Sequence, residues 1–300
     1  MADKYPKYGA GKALDPDDKV LWKEIETGVW ALSRHISGGV ELVDENGDAY
    51  GVKQIDNKPR VSAMPYLYDI AEGNVANHET FRGLGYNADV GTSWETVHVA
   101  GGIRDYLTVA ERLQIVSTDA DDDGSPAGNG ARTVKVVGLD ADWKEYDETI
   151  TMNGTTNVTT ANSFIRVFYL EVVTAGATGA NEGTITASNN ADTTVLETMT
   201  IGENKSHSAV YTIPVGHVGY LVQFTAFEAS SKGSRLAGWI RLQGGIWTLE
   251  REIVLLDSGV VVPLPVPMQI PEKTDLEWRA EAVLAGAVVT GSFEGWIEHA

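Results

Sequence analysis

From about Phe81 onward, short runs of apolar residues are separated by turn formers roughly every eight to twelve positions, the spacing of antiparallel sandwiches and barrels. The runs that predict strands are Ala131 to Leu139, Tyr146 to Met152, Phe164 to Val173, Gly183 to Ala187 and Val195 to Ile201. They continue with Ser208 to Ile213, Gly219 to Phe227, Leu236 to Leu242, Trp247 to Leu256, and a final pair, Asp275 to Val289 and Gly291 to Ile297. Asn153-Gly154, Asn189-Asn190, Pro214-Val215-Gly216 and Asp257-Ser258-Gly259 separate them with residues that tolerate positive φ or fix it. Within Phe164 to Val173, strict alternation puts Phe164, Arg166, Phe168, Leu170 and Val172 on one side and Ile165, Val167, Tyr169, Glu171 and Val173 on the other. Both faces are then largely covered, as in a central strand between two layers.

The start of the chain has a different pattern. Asp15-Pro16-Asp17-Asp18, followed by Leu21, Ile25, Val29, Leu32 and Ile36, predicts a capped helix, with a strand over Thr27 to Ile36 as the rival reading. Asn46-Gly47 lies between Val40 to Val43 and Ala49 to Val52 and predicts a hairpin. Pro59 to Asn77 reads as an extended connector. The expected fold is therefore mainly β: an antiparallel β-sandwich or jelly-roll-like body over residues 61–300, with room for two β-subdomains, preceded by an N-terminal arm or small attachment region over residues 1–60.

Composition narrows the function. The 300 residues include no cysteine, which removes disulfides, thiolate metal sites and a cysteine nucleophile. The net charge of -19 argues against a nucleic-acid surface, which needs clustered Lys and Arg. That charge is uneven: residues 1–60 carry -2 and residues 61–300 carry -17. Met1 to Tyr8 lack the apolar run of a secretory signal, and Ile253 to Val262 falls far short of the ~20 residues of a membrane helix, so neither export nor membrane insertion is expected.

Candidate chemistry is sparse. Asp119, Asp121 and Asp123, with Asp122 between and Gly124 after, begin like a calcium loop, because alternate carboxylates can converge on a hard cation. The twelfth position, where an EF-hand supplies a carboxylate, is Gly130, which favours an acidic turn between strands. His35, His78, His98, His207, His217 and His299 are scattered without ligand spacing. Gly9-Ala10-Gly11-Lys12 lacks the strand and the trailing hydroxyl of a phosphate loop, and no serine sits in a nucleophile elbow. The pairs Asp140/Asp142 and Asp147/Glu148 could serve as a glycosidase acid and base only across a cleft. Three sequons, at Asn153, Asn157 and Asn204, read as turns. Eight tryptophans could line a sugar-binding face but read first as core or interface residues. No catalytic residue, no cofactor and no enzymatic activity are expected.

One likeness runs through the body. Gly73-Asn74-Val75, Gly85 to Thr92 (GYNADVGT), Gly101-Gly102-Ile103, Asp119 to Asp122, Ala127 to Thr133 (AGNGART), Gly138 to Trp143 (GLDADW), Glu148 to Thr155 (ETITMNGT) and Tyr211 to Gly216 (YTIPVG) follow one another in an order that resembles virion structural proteins of marine tailed phages. It covers about Pro65 to the C-terminus and leaves out residues 1–60. The resemblance implies a place in the virion, assembled in the host cytoplasm. The leading expectation is a capsid decoration or cement protein on the capsid surface, a homotrimer that grips major capsid protein and stabilises its lattice by binding only the assembled form. The alternative is a head fibre, tail or receptor-binding component that contacts a host-surface glycan. A third reading, an envelope-degrading virion enzyme, requires a cleft with facing carboxylates.

Overall fold

The computed structural model describes the backbone of six strands between Val20 and Pro59, and then the chain from Tyr66 to His299. The chain divides into two compact units, Met1–Asp69 and Ile70–Ala300. In the first, β1 (Val20–Glu26), β2 (Val29–Ile36), β3 (Gly39–Val43) and β4 (Ala49–Tyr50) form an antiparallel sheet in that order, and β5 (Gln54–Ile55) pairs with β6 (Lys58–Pro59). The helix expected from Asp15 to Ile36 is not what forms. Val29–Ile36 is a strand paired with Val20–Glu26, so the β-branched and aromatic residues flanking Gly28 outweigh the four-residue spacing. The cap at Asp15 lies outside the described residues. The pairs Leu42↔Tyr50 and Val43↔Ala49 are those of the hairpin expected around Asn46-Gly47, whose turn also lies outside them. The expected extended connector is interrupted by α1 (Tyr66–Ala71), which Gly73 ends at φ +73° by donating its N–H to Ile70 O at 2.9 Å.

The second unit is built from fifteen strands. They are β7 (His78–Val90), β8 (Glu95–Thr96), β9 (Glu111–Ser117), β10 (Ala131–Asp140), β11 (Glu145–Thr151), β12 (Val158–Ala175), β13 (Ile185–Ser188), β14 (Val195–Met199) and β15 (Val210–Thr212). The remainder are β16 (His217–Glu228), β17 (Ser234–Arg241), β18 (Thr248–Leu255), β19 (Ser258–Ile270), β20 (Asp275–Ala282) and β21 (Ala287–His299). One sheet runs β11-β10-β12-β9-β13-β14 and curls so that β12 also approaches β14. A second runs β15-β20-β17-β18, with β8 added on β20, and a third runs β19-β16-β21-β7. The protein is thus mainly β and antiparallel, with a sandwich of the second and third sheets joined to the curled first sheet.

Two apolar cores follow from the alternation. Leu113, Ile115, Val134, Val136, Phe164, Leu170, Ile185 and Met199 fill the curl of the six-stranded sheet. Leu221, Phe224, Leu236, Leu276, Trp278, Phe293 and Ile297 fill the sandwich, with Phe224 and Trp278 edge to face at 5.3 Å. Strand β12 serves both. Its alternation is not strict: the register against β10 shifts between Leu139 and Asp140, skipping Ile165, which puts Phe164 in the curled sheet's core and Phe168 in the sandwich core, and shifts again between Val137 and Gly138. Their expected common side is therefore corrected. Gly138 is required at this bulge, because a Cβ there would overlap the Arg166 carbonyl of the adjacent strand. The last hairpin turns at residues 283–286, earlier than the expected break at Thr290, with Gly286 at φ +86°.

Candidate functional site

Ion pairs brace the junction between the curled sheet and the sandwich. Asp275, at the start of β20, is buried and accepts from Arg166 of β12 (Nε to Oδ1 2.7 Å, Nη2 to Oδ2 3.0 Å), from Arg241 of β17 (Nη2 to Oδ2 2.7 Å) and from Thr212 of β15 (2.7 Å). Arg104, in the loop between β8 and β9, donates to Glu197 of β14 at 2.6 Å and to Val167 O at 2.6 Å, and Glu197 also accepts from Ser208 at 2.8 Å. Glu277 of β20 accepts from Arg279 at 2.8 Å, from Tyr106 at 2.9 Å and from Thr96. Burial, and then Glu277, push the Tyr106 hydroxyl well above its ordinary range, so it stays a donor. Every buried charge here is paired and hydrogen-bonded, as burial demands.

Over this network the outer face of the second sheet carries alternating cations and rings. Arg235 lies over Trp94, Arg279 over Trp239 and Trp247, Arg241 over Trp247 and Tyr106, and Arg166 over Tyr106 and Trp143, with 4.6 to 5.1 Å between each guanidinium carbon and ring centroid. Arg235 and Arg241 on β17 and Arg279 on the adjacent β20 share one parity in the paired register, so they project from one face, and Arg166 reaches them from β12. Four of the eight tryptophans thus have a guanidinium on a ring face, Trp278 and Trp296 are buried, and Trp22 and Trp30 have side chains outside the described ones.

The acidic loop resolves differently from its sequence pattern. Asp119 Oδ1 accepts from Asp121 N at 2.8 Å and Asp123 Oδ1 from Ser125 N at 2.7 Å, each closing its own turn. Asp122, the residue between, is fully buried and accepts from Ser117 Oγ (2.5 Å), Ala131 N (2.6 Å), Glu182 N (2.9 Å) and Gly183 N (2.9 Å). Among the described residues no group of three or more His, Asp or Glu is placed to hold a metal ion. Asp140 caps its own turn through Asp142 N and Lys144 N, and Glu148 holds Ala161 N and Asn162 N, so neither sequence pair faces a cleft as a pair. His217 and His299, far apart in sequence, are brought to 4.1 Å between rings by the β16–β21 register.

The site that sequence reasoning missed is a groove of about 710 Å³ where β7 passes the outer face of β10, β11 and β12. Phe81, Tyr211 and Phe168 stack as its floor, with 4.6 Å between the centroids of each adjacent pair. Glu79, Thr80 and Arg82 of β7 form one wall, and Glu145, Tyr146 and Asp147 of β11 the other. Lys205 closes one end with its ammonium 3.8 Å over the Tyr169 ring. Glu145 accepts from Tyr211 Oη at 2.7 Å, and burial followed by Glu145 keeps that phenol protonated far above its ordinary range. The walls come from segments more than 60 residues apart, which no local pattern reveals. Alternation of Glu79 and Phe81, or of Tyr146 and Glu148, was the only signal available.

No protein family matches the chain, and no curated protein matches it. Among solved structures it is similar to a structure of the infectious bursal disease virus Gt strain at 11% identity and a TM-score of 0.17, covering 78% of this chain and 85% of that one. It is also similar to the D431N mutant VP2 protein of infectious bursal disease virus, in derived T=1 particles, at 11% identity and a TM-score of 0.15, covering 80% and 84%. Likeness of this size bears on neither the fold nor the function of this chain.

Proposed function

We propose that this chain is a structural protein of a tailed-phage virion, and specifically a decoration or cement protein that binds major capsid protein at the capsid surface as a homotrimer. The observation that carries this reading is a rigid apolar end of the sandwich. Leu256 and Val283, 68% and 66% exposed, both reach the same point above Gly233, and Leu284 and Phe227 are exposed at the same end. Beneath them the buried carboxylate of Glu228 accepts from Ser230 N, Ser230 Oγ, Lys232 N and Asp257 N, tying the β16–β17 and β18–β19 connections together. Exposed apolar clusters on a fixed scaffold mark protein contacts. The ordered series of motifs from Gly73 to Gly216 that resembles marine tailed-phage virion proteins supports the same reading. On it, binding only the assembled lattice stabilises that lattice by mass action.

The deciding experiment is the copy number of the chain per purified virion relative to major capsid protein, by quantitative mass spectrometry. A near-stoichiometric ratio supports a lattice-wide cement. A few copies per particle would overturn it in favour of a fibre, tail or receptor-binding component, a second reading that the groove between β7 and β11 favours.

A further inference from the structure

We infer that the groove between β7 and β11 binds a short neutral oligosaccharide. In its ligand class the inference rests on the second reading above, but it is independent of where in a particle the chain sits. The floor is apolar and fixed: Phe81, Tyr211 and Phe168 are each at most 7% exposed and stacked on one another, and the half-buried rings of Tyr146 and Tyr169 beside them supply the accessible aromatic surface. The polar groups above it have unused capacity. Glu79 and Asp147 stand on opposite walls, and the side chains of Glu79, Arg82 and Asp147 make no hydrogen bond or ion pair with a described residue.

A sugar ring presents closely spaced hydroxyls, each donor and acceptor, around a C–H face that packs on aromatic rings. Facing carboxylates that accept, a guanidinium that donates and an apolar floor complement all three features. An anionic glycan is disfavoured, because Glu79, Glu145 and Asp147 outnumber Arg82 and Lys205 along the groove, within a body of charge -17. The volume, about 710 Å³, lies inside the range of roughly 300–1,000 Å³ typical of ligand sites and accommodates a few sugar rings.

The test is calorimetric titration of the full chain with maltopentaose, cellopentaose, chitopentaose and a β-galactan pentasaccharide. Binding of at least one is expected, with affinity lowered about tenfold or more by Glu79→Gln and by Asp147→Asn, since each removes a hydrogen bond to a charged acceptor. Glu250→Gln, exposed on β18 and outside the groove, leaves the affinity unchanged. Unaltered melting temperatures of the variants establish that each is folded. Binding of none of the four sugars, or binding that both groove variants leave intact, overturns the assignment. So does occupancy of the groove by an extended peptide in place of sugar. None of these outcomes alters the copy number, so failure here is separable from failure of the virion reading.

Discussion

Replacing Asp275 by Asn tests whether the two parts of the body are held together by buried charge. The substitution keeps the side-chain volume and removes the charge that neutralises two guanidiniums. Asp275 is 1% exposed, and Arg166, with its side chain 8% exposed, cannot turn to water, whereas Arg241 at 24% can do so in part. Arg166 would keep its bonds to Leu107 O (2.9 Å) and Ile165 O (2.7 Å), but these carbonyls do not replace an anion. Breaking a buried pair from one side costs about 3–5 kcal/mol. Since domain stabilities are about 5–15 kcal/mol, this is a large fraction of the total. At roughly 2–4 °C per kcal/mol for a body of this size, the melting temperature falls by about 6–20 °C. Urea titration and calorimetry of the full chain measure it. Lys135→Met is the control: it removes the half-exposed pair with Glu171 at 3.3 Å, expected to contribute under about 1 kcal/mol. If Asp275→Asn stays within about 1 kcal/mol of the parent, the junction is held by packing alone and the account of the bracing fails.

Three further outcomes are expected. Burial alone would raise Glu228, but its bonds from the Ser230 hydroxyl and from the Asp257, Ser230 and Lys232 N–H groups hold it at about 2, below the ordinary 4.5. Its stabilisation is therefore complete above pH 4.5 and lost as the pH falls toward 2, and Glu228→Gln should flatten the stability profile in that window alone. Burial, and then nearby Arg104, push His98 below 6.5, so the unfolded chain takes up the proton first and stability declines as the pH drops below 6.5. His98→Gln should remove that part of the acid slope, as read by denaturant titration across pH 4 to 8. Asp122→Ala, which strips four hydrogen bonds from a buried site, should cost about 3 kcal/mol or more, against within about 0.5 kcal/mol for Asp119→Asn, Asp121→Asn or Asp123→Asn. Millimolar Ca²⁺ should leave the parent's melting temperature unmoved, and a rise abolished by Asp121→Asn would contradict the turn assignment.

The body was legible along most of the stretches where apolar residues alternate between turn formers, though Glu111–Ser117, which also alternates, was not among the predicted runs. The strands at Ala131–Asp140, Glu145–Thr151, His217–Glu228, Ser234–Arg241 and Thr248–Leu255 fall within a residue or two of the runs that predict them. Strand β7 was missed because Gly83 and Gly85 dilute its signal; both are glycine because Phe293 and the Val97–Ala209 backbone occupy the space a Cβ would need. Strand β19 was missed because Pro263, Pro265 and Pro267 interrupt it. An edge strand tolerates them, and residues 264–267 bulge out of the ladder opposite Val222. At the candidate sites, Asp122 was hidden by its neighbours, since a D-x-D pattern draws attention to alternate residues while burial selects the one between. The arginine–aromatic face and the groove are products of non-local strand pairing, so their residues carry no shared spacing. The N-terminal strands misled through Asp15-Pro16 and the four-residue spacing from Leu21 to Ile36, where local helix signals met strand pairing.

The most direct test of the cement reading is reconstitution. Purified chain is added to expanded phage heads that lack it, and the melting temperature of the shell is followed by calorimetry as the chain is titrated. The account predicts saturable binding and a shell transition that rises with chain concentration, with both effects lost in Leu256→Lys/Val283→Lys while that variant's own melting temperature is unchanged. Heads that melt at the same temperature with and without saturating chain would contradict it.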